Sequence, residues 1–299
     1  MNIYLAANSQ DQIPGDLILQ AVQRSDLVPV PRTLEFTVRL KDEIEDRLKE
    51  GNSVWAGYEN LEYRIVKTNR PKPVAQIQGR DQYSAMQVSC LLKSCAQIAF
   101  RRDRAVIATN EKIGALYRAC GATITINNDV TVDRFACLKG QVPSFHLARA
   151  MQEECVCLVL RDGQLNLIRL QDLFRQQPKD GIGKFDSTDS IESEFMVRHE
   201  VPSFYSIDEN GNFIYGSTED TRAITFVPRA TERQLRNMTR VLVTRKKLQS
   251  AYAAQINAGD LLSVEGKNYA VITAAHAFED SGSGVKQSNS HFWIGDLSQ

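Results

Sequence analysis

From Leu34 to Leu40 apolar and polar residues alternate one by one, the period of a strand with one buried face. Pro29 and Pro31 exclude a helix just before it. Ser53–Tyr58 and Leu61–Val66 read as two further strands, and Lys41–Glu50 as a short helix or turn stopped by Gly51. Asp16–Arg24 mixes polar and apolar residues and fits a short helix or an edge strand. The period then changes. Val88, Leu91, Leu92, Cys95, Ala96 and Ala99 recur at three and four, which predicts an amphipathic helix. Glu111–Ala119 predicts another, with Asn110 as its cap and Gly121 as its stop. Ala122–Val132 predicts a hairpin around Asn127-Asn128. Phe145–Glu154 predicts a helix opened by Pro143-Ser144. Cys155–Leu160 and Leu165–Ile168 flank Asp162-Gly163, a strong strand–turn–strand signal.

Residues 179–194 hold few apolar side chains and read as a linker. Beyond them the pattern predicts a hairpin over Ser203–Gly216, a strand at Ala223–Val227, a helix at Thr231–Met238 and a strand at Arg240–Thr244. Two strands joined by a glycine turn follow between Gly259 and His276, in the style of a small barrel. The chain thus divides into a β-rich module at 1–78, a helix-containing α/β insert at 79–178, a linker at 179–194 and a second β-rich module at 195–299.

The chain has 299 residues, 42% of them hydrophobic and 24% charged. That is enough for a substantial core without metals or disulfides, and no apolar run reaches the roughly 18 residues that cross a bilayer. The N-terminal stretch lacks the basic start of a signal peptide, so a cytoplasmic site of synthesis is expected. Six cysteines fit a reducing compartment. Cys155 and Cys157 share one face if their apolar run is a strand, which predicts that both are buried and structural.

No Gly-rich phosphate loop, His-Glu-x-x-His or Gly-x-Ser-x-Gly motif is present. A Cys155–His146 nucleophile pair would make a cysteine-dependent hydrolase, but no motif orients it. Glu153-Glu154 and Glu219-Asp220 read as a solvated helix end and a turn. The sequence therefore predicts no catalytic residue, no metal site and no cofactor.

Charge is more informative. Lysine plus arginine and aspartate plus glutamate are equal at 36 each, so the net charge is zero. That argues against a chain-wide nucleic-acid surface. The neutral total hides two opposed blocks. Arg222, Arg229, Arg233, Arg236, Arg240, Arg245, Lys246 and Lys247 stand against the single acid Glu232, whereas Asp186–Asp220 holds nine acids and one base. Such blocks are either solvated faces or complementary contacts between copies or with a partner. The eight bases are the candidate contact residues.

Three stretches carry a resemblance: Val28–Phe36; Ile113–Ala122; and Gly140–Glu154 followed by Asp162-Gly163-Gln164-Leu165, with Ala258–Leu262 near the end. In this order they resemble the baseplate hub proteins of contractile-tailed bacteriophages, the late-control hub family, also represented in contractile injection systems. The resemblance implies an α+β fold with two small β-barrel modules flanking an α/β insert. It also implies a homotrimer whose six barrels form a pseudo-sixfold ring. That ring would join a sixfold tail tube to a threefold spike and line the passage for DNA without binding it specifically. Tail tube protein, spike protein and other baseplate proteins would be its partners. The virion tail baseplate, assembled in the host cytoplasm, would be its location, and no membrane would be involved. A cellular protein-binding adaptor is the competing reading.

Overall fold

The computed structural model describes residues 1–7, 10–41, 44–70, 84–179, 187–190, 201–217, 223–280 and 286–298. Its first part is a set of antiparallel strands: β1 (Ile3–Tyr4), β2 (Ile18–Asp26), β3 (Arg32–Arg39), β4 (Ser53–Ala56), β5 (Leu61–Asn69) and β6 (Ala85–Leu92), with a one-turn helix α1 (Ile44–Arg47) between β3 and β4. The alternation that predicts β3 buries Leu34, Phe36 and Val38, which pack with Val54, Tyr63, Ile65 and Val88. Here the helix expected at 88–99 is corrected. Met86, Val88, Cys90 and Leu92 are buried at period two in β6, and only Lys93–Ala96 (α2) is α-helical. Residues four apart share a face in a strand as well as in a helix, so the pattern of 88, 92 and 96 fits both.

The insert contains β7 (Val106–Lys112), α3 (Ile113–Ala119), β8 (Ile126–Asn127), β9 (Thr131–Cys137), α4 (Pro143–Glu153), β10 (Val156–Arg161) and β11 (Gln164–Arg169). Pro143 occupies the first turn of α4, where its missing N–H costs nothing. Asp162 and Gly163 both take positive φ, so the β10–β11 turn matches the twist of its strands. The hairpin expected at 122–132 does not form. β8 runs parallel to β11, and β9 pairs with β7. Asn110 does not cap α3; instead the Asp129 carboxylate accepts the Gly114 N–H at 3.0 and 3.1 Å.

The last part begins with a short strand β12 (Ser187–Ser190) inside the expected linker. A small three-stranded unit follows: β13 (Ser203–Ile207), β14 (Phe213–Tyr215) and β15 (Ile224–Phe226), with α5 (Glu232–Met238) on one face. Then come β16 (Leu242–Ala251), β17 (Leu261–Val264), β18 (Lys267–Asp280) and β19 (Lys286–Leu297).

Among the described residues the two ends of the chain form one sheet of eleven strands. Its order is β1-β4-β5-β6-β3-β2-β18-β19-β16-β12, with β17 on β18. The join is the antiparallel pair β2–β18, running from Asp26–Thr273 to Gln20–Glu279. β2 is therefore a central strand, neither the helix nor the edge strand its polar residues suggested. Those polar side chains are bonded inside: Gln23 donates to the Tyr63 hydroxyl at 2.7 Å, and Ser25 accepts the Ala258 N–H at 2.9 Å. Each half keeps its own core, around Phe36 and Tyr63 on one side and around Phe292 and Ile294 on the other. The class is α+β and mostly β. The described pairings form one open path rather than two closed sets.

The insert is pinned to this sheet. Cys157 and Val159 of β10 pack with Leu261 and Ala270. Gly259 has φ of +90°, and a Cβ there would sit 2.5 Å from the Val159 side chain, so the close approach of loop and strand requires glycine. No helix is long and apolar enough to cross a membrane among the described residues.

Candidate assembly surface

Four of the seven described bases of the block, Arg233, Arg236, Arg245 and Lys246, pair with acids of the same chain. Arg222 lies outside the described residues, as does much of the acidic block. Arg233, on α5, makes a two-pronged bond to Glu154, with Nη1 2.6 Å and Nη2 2.9 Å from the carboxylate oxygens, and a longer one to Asp133 at 3.4 Å. Thr231 and Gln234 cap the same helix reciprocally. The hydrogen bond to Glu154 raises the Arg233 pKa further. Glu154 is only 7% exposed, so this pair fastens the small unit to the end of α4, helped by Asn237 donating to the Glu153 carbonyl at 2.9 Å. Arg236 pairs with Glu232 one turn back. Arg245 reaches Asp296 at 2.6 Å, Lys246 reaches Glu265 at 2.5 Å, and the Lys247 ammonium lies 5.4 Å from the centre of the Trp293 ring. Arg229 and Arg240 are exposed and make no ion pair with any described residue. On the sheet, Asp189 stands opposite Lys247 in the register of the β12–β16 ladder.

A second surface was not legible as such in the sequence. β13–β15 bury Phe204, Ile214 and Val227 against α5. Their other face carries Tyr205, Ile207, Phe213, Tyr215, Ile224 and Phe226. Phe213 is 60% and Ile224 63% exposed, and the Tyr205 ring lies 5.2–6.0 Å from Phe226, Phe213 and Tyr215. The signal was present: Phe204-Tyr205 and Phe213-Ile214-Tyr215 place apolar residues on both faces of a hairpin. Aromatic side chains of about 150–250 Å² each, half exposed, present on the order of 500 Å² of apolar surface. That is as large as the largest patch on an ordinary monomer.

The residues considered for catalysis are kept apart. All six cysteines are free thiols. Burial pushes Cys157 and Cys95 up to about 12 and Cys120 up to about 11, which suppresses the thiolate needed for attack. Cys155 differs from the expectation of a fully buried strand residue. It sits before β10 with φ of +53° and is half-buried. His146 packs edge-on against Phe135, with ring centres 6.4 Å apart. Burial and the neighbouring Arg149 lower its pKa. His276, inside the sheet, is held between the Ser290 hydroxyl at 2.8 Å and the Ile256 carbonyl at 3.0 Å.

At the level of sequence, no protein-family model and no curated protein matches the chain. Solved structures do. The 43 kDa tail protein of prophage MuSo2 from Shewanella oneidensis is 12% identical, with a TM-score of 0.64 over 99% of this chain and 98% of its own. The tail protein from Neisseria meningitidis MC58 is 8% identical, with a TM-score of 0.65 over 99% and 96%. The fold is that of phage tail proteins. A third structure with this tail-protein fold is the E. coli c3393 protein, a component of the type VI secretion system with structural similarity to the T4 bacteriophage tail proteins gp27 and gp5. It is 9% identical, with a TM-score of 0.55 over 94% of this chain and 74% of its own. These neighbours are of the kind that the resemblance to the hub family implied. The tail fold accounts for the whole length described, sheet, insert and small unit together.

Proposed function

We propose that the protein is a structural, non-enzymatic component of a phage-tail baseplate. In this reading three copies form a ring that joins a sixfold tail tube to a threefold spike and surrounds the passage for DNA, in the tail of a virion assembled in a bacterial host. The observation that carries it is the end-to-end likeness to prophage tail proteins. The two halves of the long sheet, each with its own core, supply the two barrel-like modules of such a subunit; they run beyond the 1–78 and 195–299 expected, taking in β6 (Ala85–Leu92) and β12 (Ser187–Ser190). The apolar face of β13–β15 is covered by a neighbouring copy. Its area is more than half of the roughly 800 Å² per partner that a stable interface takes. Of the basic block, Arg222, Arg229 and Arg240 contribute subunit or partner contacts.

The test is the mass and symmetry of the purified protein, alone and with a tail tube protein. Three times the 33.6 kDa chain mass, with threefold symmetry in electron micrographs, is expected. A monomer at every concentration and with every tail component would overturn the ring and favour the adaptor reading. The likeness to a type VI secretion component favours a second version of the same role, the hub of a contractile injection system. That version is distinguished by whether the purified particle carries DNA.

A further inference from the structure

An open cleft of about 540 Å³ lies between β9, α4 and the loop after β15. Ala136, Ala150, Pro228 and Ala230 line it beside the Phe135–His146 ring pair, with Gln234 and Glu153 as polar lining. Three arginines line it: Arg134 from β9, Arg149 from α4 and Arg229 from the loop. Arg149 is bonded to Glu153 at 3.0 Å. Arg134 and Arg229 make no ion pair with any described residue. The loop itself is fixed. Pro228 restricts it, the Ala230 N–H donates to the Ser206 hydroxyl at 3.3 Å, and Arg229 is held at φ of +59°, a conformation uncommon for a side chain of this size. Within the basic block, then, Arg229 is the base that lines one cleft with arginines from two other elements.

Three like charges around one concavity, answered by one carboxylate, leave a positive potential that an anionic partner would relieve. The guanidinium fork matches the two oxygens of a carboxylate. The alanines and the proline between the arginines suit an apolar side chain. A nucleic acid fits less well. Glu153 on the wall would face its phosphates, and the Phe135 ring is buried rather than open for a base to stack on. We propose that this cleft docks an acidic peptide segment of a neighbouring protein. Carboxylates go to Arg134 and Arg229, and one apolar side chain goes to the alanines and the proline. This deepens the assembly reading and rests on it only for the presence of a protein neighbour.

The probe is a fluorescein-labelled peptide, Gly-Glu-Phe-Glu-Asp-Leu-Glu-Gly, followed by anisotropy on the full chain at about 50 mM salt. Binding in the range of about 10–100 µM is expected. The double variant Arg134→Glu/Arg229→Glu should weaken it at least about tenfold. Arg118→Glu, an exposed base on α3 outside the cleft, should change it less than about twofold. A peptide with serine in place of its Phe and Leu should bind several-fold more weakly. Both variants carry exposed substitutions, and an unchanged urea midpoint confirms that they are folded. Were the double variant to unfold, the single changes Arg134→Ala and Arg229→Ala make the same comparison. The proposal falls if no binding is seen up to about 1 mM, if Arg118→Glu costs as much as the cleft variant, or if the serine peptide binds equally well. It also falls if a short single-stranded oligonucleotide displaces the probe better than unlabelled peptide. A monomer that binds the peptide would overturn the ring and leave the cleft standing; a trimer that does not bind it would do the reverse.

Discussion

In the long sheet, the inward rows of β3 and β19 (Leu34, Phe36 and Val38; Phe292 and Ile294) are buried to 2% exposure or less, and the outward positions are largely polar. The small sheet β13–β15 has a buried row of the same kind against α5, but its outward positions are aromatic or aliphatic as well. The two sheets use the same period and differ in what they leave uncovered. Burial in the long sheet is completed by the chain itself, through strands drawn from its two ends. Burial in the small sheet is completed on one side only. Apolar area exposed on a fixed, capped and salt-bridged unit is surface held ready for a neighbour, because folding alone gains nothing from it.

Substitutions should separate the two sheets sharply. Phe292→Ala in the long sheet should cost about 3–5 kcal/mol. Because one sheet joins the halves, Trp55 in β4 and Trp293 in β19 should report the same urea transition in variants that retain either tryptophan alone. Two separate midpoints would mean that the β2–β18 join does not couple the halves. His276 supplies the next largest effect. Burial, and then the nearby Arg32, lower its pKa to about 4 from an ordinary 6.5. The unfolded chain therefore binds the extra proton first. Stability should be at its full value above about pH 6.5 and fall as pH drops toward 4, by up to about 3 kcal/mol. His276→Gln should flatten that slope; an unchanged slope would place the titrating group elsewhere. Removing the clamp on the small unit, by Arg233→Met, should cost about 1–3 kcal/mol, because Glu154 is left nearly buried without its partner. Increased protease cutting within 201–241 would show the release, and unaltered resistance would count against the clamp. Phe226→Asp, on the uncovered face, should move stability by no more than about 0.5 kcal/mol and yet reduce the trimer fraction. Trimer retained at wild-type level would show that this face is not the contact.

Local features were readable before any coordinates. The Asp162-Gly163 turn, the Pro143 opening of α4, the Thr231 start of α5 and the hairpin over 203–216 follow from residues within a few positions of one another, and the structure has all four. What pairs with what across the chain was not readable. Nothing in the pattern of β2 names β18 as its neighbour, because the ladder is made of backbone groups that every strand offers. The 88–99 segment was misread because four-residue spacing suits both periods. Among the eight bases, those tied within the chain could not be sorted from those left open. Apart from Glu232, one turn from Arg236, their acids Glu154, Asp296 and Glu265 lie 19 to 79 positions away.

The β2–β18 join also sets an order of events during synthesis. β2 and β3 leave the ribosome early, whereas the strand that pairs with the other edge of β2 is made near the end of the chain. At about 5–20 residues per second, that edge waits on the order of tens of seconds with its N–H and C=O groups open. An open edge is where chains pair with the wrong partner. Aggregation during expression should therefore be governed by how quickly β18 arrives, and a chain truncated before β18 should be far less soluble than the full chain.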